Sequence, residues 1–307
     1  MKKLFMPVLL ILVLALVSAC GNASSNSSSG EEATKEDKKE TITYESESGP
    51  VEVPADPQRV VALSNAGDVL ALGVNVVGVD TWAKSSPIYE EKLKDVEVVS
   101  DEDLEKIIEL EPDLIIGSES TKNVDKLKEI APTVTYTYGT LDYLTQHLEI
   151  GKLLNKEKEA QSWIDNFKEE AKSTGDEIKA KIGEDATVTV MESYDKSMYV
   201  MGDSWGRGTE VLYQAMGLNM QEKVKEMTAK DGYYTLSQEV LPEFVGDYLI
   251  ISKYSDQDSS YQETDTFKSM EAVKNNHVFE ADGNSFLFND PLSLEFQLNF
   301  FKENFMK

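Results

Sequence analysis

Two side chains able to grip a ligand, Trp205 and Arg207, lie in the glycine-punctuated run Gly202-Asp203-Ser204-Trp205-Gly206-Arg207-Gly208. A guanidinium donates N–H groups in a planar fork to oxygen atoms and stays charged at any relevant pH. An indole supplies a flat apolar wall and one donor. Ser197–Met201 alternates like a strand before the run, and Thr209 is placed to cap a helix that Gly217 would end. The pair is thus expected on a strand-to-helix loop, where open α/β sheets bind ligands. In another setting the same residues would read as a packing tryptophan and a surface ion pair. Arg59, the other arginine of the chain, opens a strand after a proline-bounded turn and reads as structural.

Further aromatics stand at expected strand-to-loop exits: Tyr199 before the glycine run, Tyr138 after Val134, Trp82 after Val76–Val79, and Phe286 and Phe288 ahead of Asn289-Asp290-Pro291. Other chemistry finds less support. His147 and His277 are too few for a bare transition-metal site, which needs several imidazoles or carboxylates converging on one ion. There is no Gly-x-Ser-x-Gly elbow, phosphate-cradling Gly-Lys loop or paired-histidine motif. The abundant acids keep carboxylate-pair hydrolysis as an alternative, although enzyme function is not the expectation.

The single cysteine, Cys20, precludes a disulfide within the chain. It follows Lys2, Lys3, an apolar run from Leu4 to Val17 and the small residues Ser18 and Ala19, the pattern of a secretory signal over residues 1–19. The run is shorter than the roughly 20 residues of a membrane span. Small residues directly before a lone cysteine resemble the lipobox of bacterial lipoproteins, which implies lipidation at Cys20 and anchoring to the membrane through that lipid. Polar, Ser- and charge-rich sequence follows, so residues 20–44 are assigned to a flexible tether. The whole chain has a net charge of −26, and loss of residues 1–19 removes two of its 30 basic residues and none of its 56 acidic ones. A nucleic-acid partner is excluded on that balance.

From residue 58 onward apolar runs alternate with helical patterns, the mark of βαβ units. The scheme occurs twice. Glu105 leads through Pro112 to Asp113-Leu114-Ile115-Ile116, and Glu239 leads at equal spacing to Asp247-Tyr248-Leu249-Ile250. Glu105 and Glu239 are thereby predicted at equivalent places, or are simply two solvated carboxylates. Between the halves, Ala160, Trp163, Ile164, Phe167, Ala171, Ile178 and Ile182 recur at three- and four-residue spacing, predicting one long amphipathic helix. The expected fold is α/β, two Rossmann-like lobes (45–155 and 183–307) joined by a single helix (156–182).

With tether, paired lobes and spine, the chain resembles the helical-backbone class of periplasmic binding proteins, especially the iron(III)-siderophore lipoproteins that serve ABC importers in Gram-positive bacteria. The likeness covers essentially the whole mature chain. It rests on Val53-Pro54-Ala55-Asp56-Pro57-Gln58-Arg59-Val60-Val61, Glu111–Ile116, Ala131-Pro132-Thr133-Val134 and Gly202–Gly208. The last stretch, with Glu210-Val211-Leu212-Tyr213-Gln214-Ala215 after it, is most similar to hydroxamate-siderophore receptors. The resemblance implies a monomer on the extracellular face of the cell membrane, without a cofactor, that takes up a ferric siderophore. It places Tyr138, Tyr199 and an aromatic near 286–288 in the cleft. At that last place the family has Trp or Tyr and this chain Phe, which removes a donor. It also implies that Glu105 and Glu239 dock arginines on the permease dimer, which works with a cytoplasmic ATPase. Catecholate complexes are triply anionic and call for several cations, whereas hydroxamate complexes are neutral or cationic and suit one arginine among aromatics. Lys84, Lys122, Lys230 and Lys253 are the residues that could shift that balance, and a catecholate or haem receptor is the alternative.

Overall fold

The computed structural model describes residues 40–307; the expected signal segment and Cys20 lie outside the described residues. An antiparallel hairpin comes first, β1 (Thr41–Ser46) and β2 (Gly49–Pro54). Tyr44 and Val53 point from it into the first hydrophobic core, and the Tyr44 hydroxyl lies 3.0 Å from that of Tyr136. The boundary drawn at residue 44 is therefore corrected to residue 40. The alternation Thr41-Ile42-Thr43-Tyr44, with its β-branched residues and one buried aromatic, makes a strand of what composition had assigned to the tether.

The first lobe is a five-stranded parallel sheet in the order β5 (Glu97–Val98), β4 (Val76–Val79), β3 (Val60–Ala62), β6 (Leu114–Ser118), β7 (Thr133–Tyr136). Its central strands are continuous apolar runs because helices cover both faces. The second lobe centres on β8 (Thr187–Tyr194), flanked by the parallel strands β12 (Tyr248–Lys253) and β13 (Val278–Asp282) on one side. On the other side run β9 (Ser197–Met201) and β11 (Tyr233–Leu236), each antiparallel to its inner neighbour, while the short β10 (Asn219–Met220) pairs in parallel with β8.

The internal repeat is visible in register. Asp113 accepts hydrogen bonds from the backbone N–H groups of Gln58 and Arg59 at 2.9–3.1 Å, and β6 then pairs with β3. Asp247 accepts from the Thr187 N–H at 2.8 Å, and β12 then pairs with β8. In each lobe an aspartate ties the start of one strand to the start of the central one. Arg59 donates to the carbonyls of Leu110 and Glu111, a structural role.

The spine helix spans Glu157–Ile182, burying Ala160, Ile164, Phe167, Ala171 and Ile178 along one face. Gly175, on that face, abuts the Met216 carbonyl so closely that a Cβ would occupy the same space. A glycine that weakens an isolated helix is thus what lets this one touch the second lobe. The terminal helix, Pro291–Phe305, is capped by Asp290, whose carboxylate accepts from the Leu292 and Ser293 N–H groups. Its Leu294, Leu298, Phe301 and Phe305 belong to the core of the second lobe, while Leu292 and the preceding Phe288 pack on the core of the first. Two helices therefore bind the lobes together.

Candidate functional site

Between β9 and the helical turn Glu210–Ala215 the chain takes three consecutive positive φ angles, at Gly206 (68°), Arg207 (57°) and Gly208 (81°). Glycine adopts this region freely and arginine does not, so the neighbours must hold Arg207 in place. They do so from the chain segment before the terminal helix: the Arg207 N–H donates to the Phe286 carbonyl at 2.7 Å. A Cβ on Gly206 would meet the Leu287 carbonyl at 2.7 Å, and one on Gly208 would meet the Phe301 ring at 2.7 Å. Thr209 does not cap the following turn as expected. Its hydroxyl donates to the Gly206 carbonyl at 2.7 Å and accepts from the Trp205 N–H at 3.2 Å, stitching the loop to itself. The turn is π-type, with the Met216 N–H bonded to the Val211 carbonyl.

The Arg207 side chain, 18 % exposed, reaches back over β8 to Glu192, whose side chain is 5 % exposed. Nε donates to one carboxylate oxygen at 2.9 Å and a terminal nitrogen to the other at 3.0 Å; the second terminal nitrogen donates to the Trp205 carbonyl at 3.2 Å. Burial opposes the guanidinium's charge, but the Glu192 pair outweighs it and holds the Arg207 pKa above its ordinary value. Ser252 on β12 also donates to Glu192, at 3.2 Å, and Tyr199 on β9 stands directly across from Glu192 in the sheet.

Around the pair is an aromatic shelf. Trp205 packs on Tyr233 with ring centroids 5.1 Å apart, and Tyr233 packs edge-on against Tyr199 at 5.9 Å. From the first lobe Tyr138, 61 % exposed, sets its ring edge-on to Trp205 at 5.9 Å and lies 3.4 Å from the Ser204 carbonyl. Four expected residues, Trp205, Arg207, Tyr199 and Tyr138, are thus brought together from two lobes. Trp82 stands apart from the cluster, exposed at the start of a short helix after β4 and held there by Asp80, which accepts from the Trp82 and Ala83 N–H groups. Phe288 is half-buried against Tyr89. Phe286 is corrected: it is fully buried among Phe296, Phe300 and Phe301, and only its backbone carbonyl serves the Arg207 loop. The rings of the terminal helix draw the Phe286 side chain inward, a packing choice that its place after a strand does not reveal.

Sequence reasoning overlooked Tyr233, Glu192 and Glu210. Glu192 carried a usable signal, an acid directly after the apolar run Val188–Met191 in a chain with two arginines. Glu210 is buried beneath the loop, accepting from the Gly206 N–H at 3.0 Å and the Asn289 amide at 3.1 Å, and desolvation raises its pKa. The lysines that could have added positive charge are engaged elsewhere. Lys84 donates to the carbonyls of Leu93, Lys94 and Val96, and Lys122 and Lys253 pair with Glu102 and Glu280; exposed Lys230 lies 3.8 Å from Asp231.

A second buried polar cluster lies where the terminal helix meets the first lobe. His147 Nδ1 is 2.9 Å from Asp68, while Tyr89 donates to Asp290 and lies 3.1 Å from the Ser293 hydroxyl. Burial first, and then the Asp68 charge, push Asp290 up to about 6. A cavity of about 700 Å³ sits elsewhere, where the strands of the second lobe begin, bordered by Asp185, Thr187, Asp247 and His277. Tyr248 also borders it, but no arginine does. Among the described residues no group of three or more His, Cys, Asp and Glu side chains could hold a metal ion, and no helix is long and apolar enough to cross a membrane.

Residues 60–284 match the model of a family described as periplasmic binding protein. The iron(3+)-hydroxamate-binding protein FhuD of Bacillus subtilis is 36% identical over 276 residues, 87% of either chain. The structure of FhuD2 from Staphylococcus aureus with bound ferrioxamine B superposes with a TM-score of 0.78 at 35% identity, covering 81% of this chain and 98% of that one. The FhuD protein from S. pseudintermedius gives 0.79 at 34% identity, covering 87% and 98%.

Proposed function

The chain belongs to the periplasmic binding protein family, and from that premise we propose that it captures an iron(III)–hydroxamate siderophore outside the cell and delivers it to an ABC importer. It is a binding protein and not an enzyme, as its relatives are. The observation that carries the reading is the shelf formed by Trp205, Tyr233, Tyr199 and Tyr138 around one charge-paired arginine. Apolar ring faces suit the aliphatic arms of a wrapped iron chelate, and the N–H groups left on Arg207 suit its outer oxygens. A triply anionic catecholate complex finds no surplus of positive charge there.

In this reading Trp82 and Phe288 border the same cleft, the iron is held by the siderophore, and the protein contributes no metal ligand or cofactor. Residues 1–19 are removed as a signal peptide, Cys20 carries the lipid, and a tether from 20 to about 40 holds a monomer at the extracellular face of the membrane. The two lobes and the spine keep the limits 45–155, 156–182 and 183–307, apart from the hairpin that the first lobe gains. Glu105 and Glu239, exposed on equivalent first turns of the two lobes, dock the permease halves.

Tryptophan-fluorescence titration of the mature protein with ferric hydroxamates, a ferric catecholate, ferric citrate and haemin tests the proposal. Saturable quenching by hydroxamates alone is the expected result. Tight binding of haemin or the catecholate in their place overturns it.

A further inference from the structure

Arg207 and Glu192 form a closed ion pair on the floor of the site, and the pair has a consequence for which ligands can be bound. A guanidinium has five N–H donors. Two are spent on the Glu192 carboxylate and one on the Trp205 carbonyl. Those left can still donate to a ligand, yet the site as a whole carries almost no net charge, because the carboxylate sits against the guanidinium at 2.9–3.0 Å. The potential of such a pair falls off with distance much faster than that of a lone cation. Neither Lys84 nor Lys253 restores it, since Lys84 is turned to backbone carbonyls and Lys253 to Glu280. The buried Glu210 beneath the loop adds no positive charge.

Glu192 is ill placed for any alternative role at the surface. It stands in the central strand of the lobe with Met191 and Val190 before it, and a carboxylate there is tolerated because Arg207, Ser252 and Tyr254 hydrogen-bond it. A leucine or threonine would fill the same strand position at no electrostatic cost, and an Arg207 without its acid would remain a free cation facing the cleft.

We propose that Glu192 is the charge-selectivity residue of the cleft: by cancelling Arg207 it admits neutral and cationic iron(III) complexes and rejects anionic ones, while leaving N–H groups free to donate. The inference rests on the proposed siderophore reading and names the residue that sets the ligand's charge class. Glu192 acts through Arg207 and so is a positioning residue.

The test compares dissociation constants of three iron(III) complexes with the mature protein: ferrioxamine B, which is cationic, ferrichrome, which is neutral, and the trianionic tris-catecholate. Glu192→Gln keeps the shape and an acceptor for Arg207 and removes the charge. It is expected to shift the ratio of affinities toward the tris-catecholate by at least about tenfold, with a salt dependence that the wild type lacks. Arg207→Gln is expected to shift the ratio the other way, toward ferrioxamine B. The double variant, which strands no charge, is expected to return the wild-type ratio. Equal loss for all three ligands in Glu192→Gln, with the ratio unmoved, overturns the proposal and leaves Glu192 as a structural anchor. Melting curves identify a variant that does not fold, in which case the opposite swing of Arg207→Gln, or its absence, decides. A wild-type protein that binds neither hydroxamate complex sinks the siderophore reading itself and is seen before any variant is made.

Discussion

Tyr138 of the first lobe meets Trp205 of the second edge to face, with 5.9 Å between ring centroids. This places the indole where the two lobes meet, the position the proposed reading gives to the ligand. Trp163, in contrast, stacks on Phe167 along the spine and donates its indole N–H to Glu295 at 2.6 Å. Trp205→Phe is expected to remove most of the fluorescence quench on loading with ferrioxamine B, and Trp205→Ala to weaken binding by about 1–3 kcal/mol, as lost ring stacking and burial imply. Trp163→Phe is expected to leave the quench in place; the reverse pattern would put the cleft elsewhere.

The acid–base cluster beside the terminal helix predicts how stability follows pH. Asp290, raised from an ordinary 3.8 to about 6, binds its proton more tightly in the folded chain than in the unfolded one. Its contribution to stability is therefore complete below about pH 4 and is lost as pH rises through 6, a change on the order of 3 kcal/mol. Asp68 and Tyr89 face it from two other elements, and His147 on a third pairs with Asp68. Asp290→Asn retains the helix cap, because Asn caps as well as Asp. Melting temperatures measured between pH 4 and 7 should fall with rising pH in the wild type relative to this variant, and parallel curves would show that Asp290 titrates normally.

Gly175→Ala sets helix propensity against packing. In an exposed helix the change stabilises by about 1 kcal/mol. Here the new methyl group would overlap the Met216 carbonyl, and overpacking against backbone costs about 1–3 kcal/mol or more. A lowered melting temperature is expected, and a raised one would mean that the spine and the 210–216 turn can separate at little cost.

Glu105 and Glu239 are each the second residue of a helical turn, and each precedes by eight residues the aspartate that starts the next strand. Glu105→Ala and Glu239→Ala are expected to leave siderophore affinity unchanged and to impair uptake by cells, the double variant most, since two contacts on one frame reinforce each other through effective concentration. Normal uptake by the double variant at equal surface abundance would return both to solvated carboxylates.

Much of the frame was legible because it is written in local periodicity. The three- and four-residue spacing of Ala160, Ile164, Phe167 and Ala171 gave the spine, and the matched approach to Asp113 and Asp247 gave the repeat. Trp205 and Arg207 stood out because glycines bracket them. Tyr233 did not, since nothing in Asp231-Gly232-Tyr233-Tyr234 says that its strand will lie beside Tyr199. Whether Phe286 or Phe288 turns inward depends on packing against Phe300 and Phe301, contacts that no spacing rule encodes. The hairpin at Thr41 was hidden for a different reason: its polar surroundings outweighed one alternating segment in the composition.

The terminal helix has one more consequence, and it is kinetic. It starts with Leu292 in the core of the first lobe and ends with Phe305 in that of the second, alongside a spine pinned at Gly175. Widening the cleft would have to pull apolar side chains away from one of two cores, so a wide-open state is expected to be costly. Under the proposed function, capture is then expected to be a single bimolecular encounter with a shelf already in shape. Stopped-flow quenching is expected to give a rate that rises in proportion to ligand concentration, without the plateau that a slow opening step would impose.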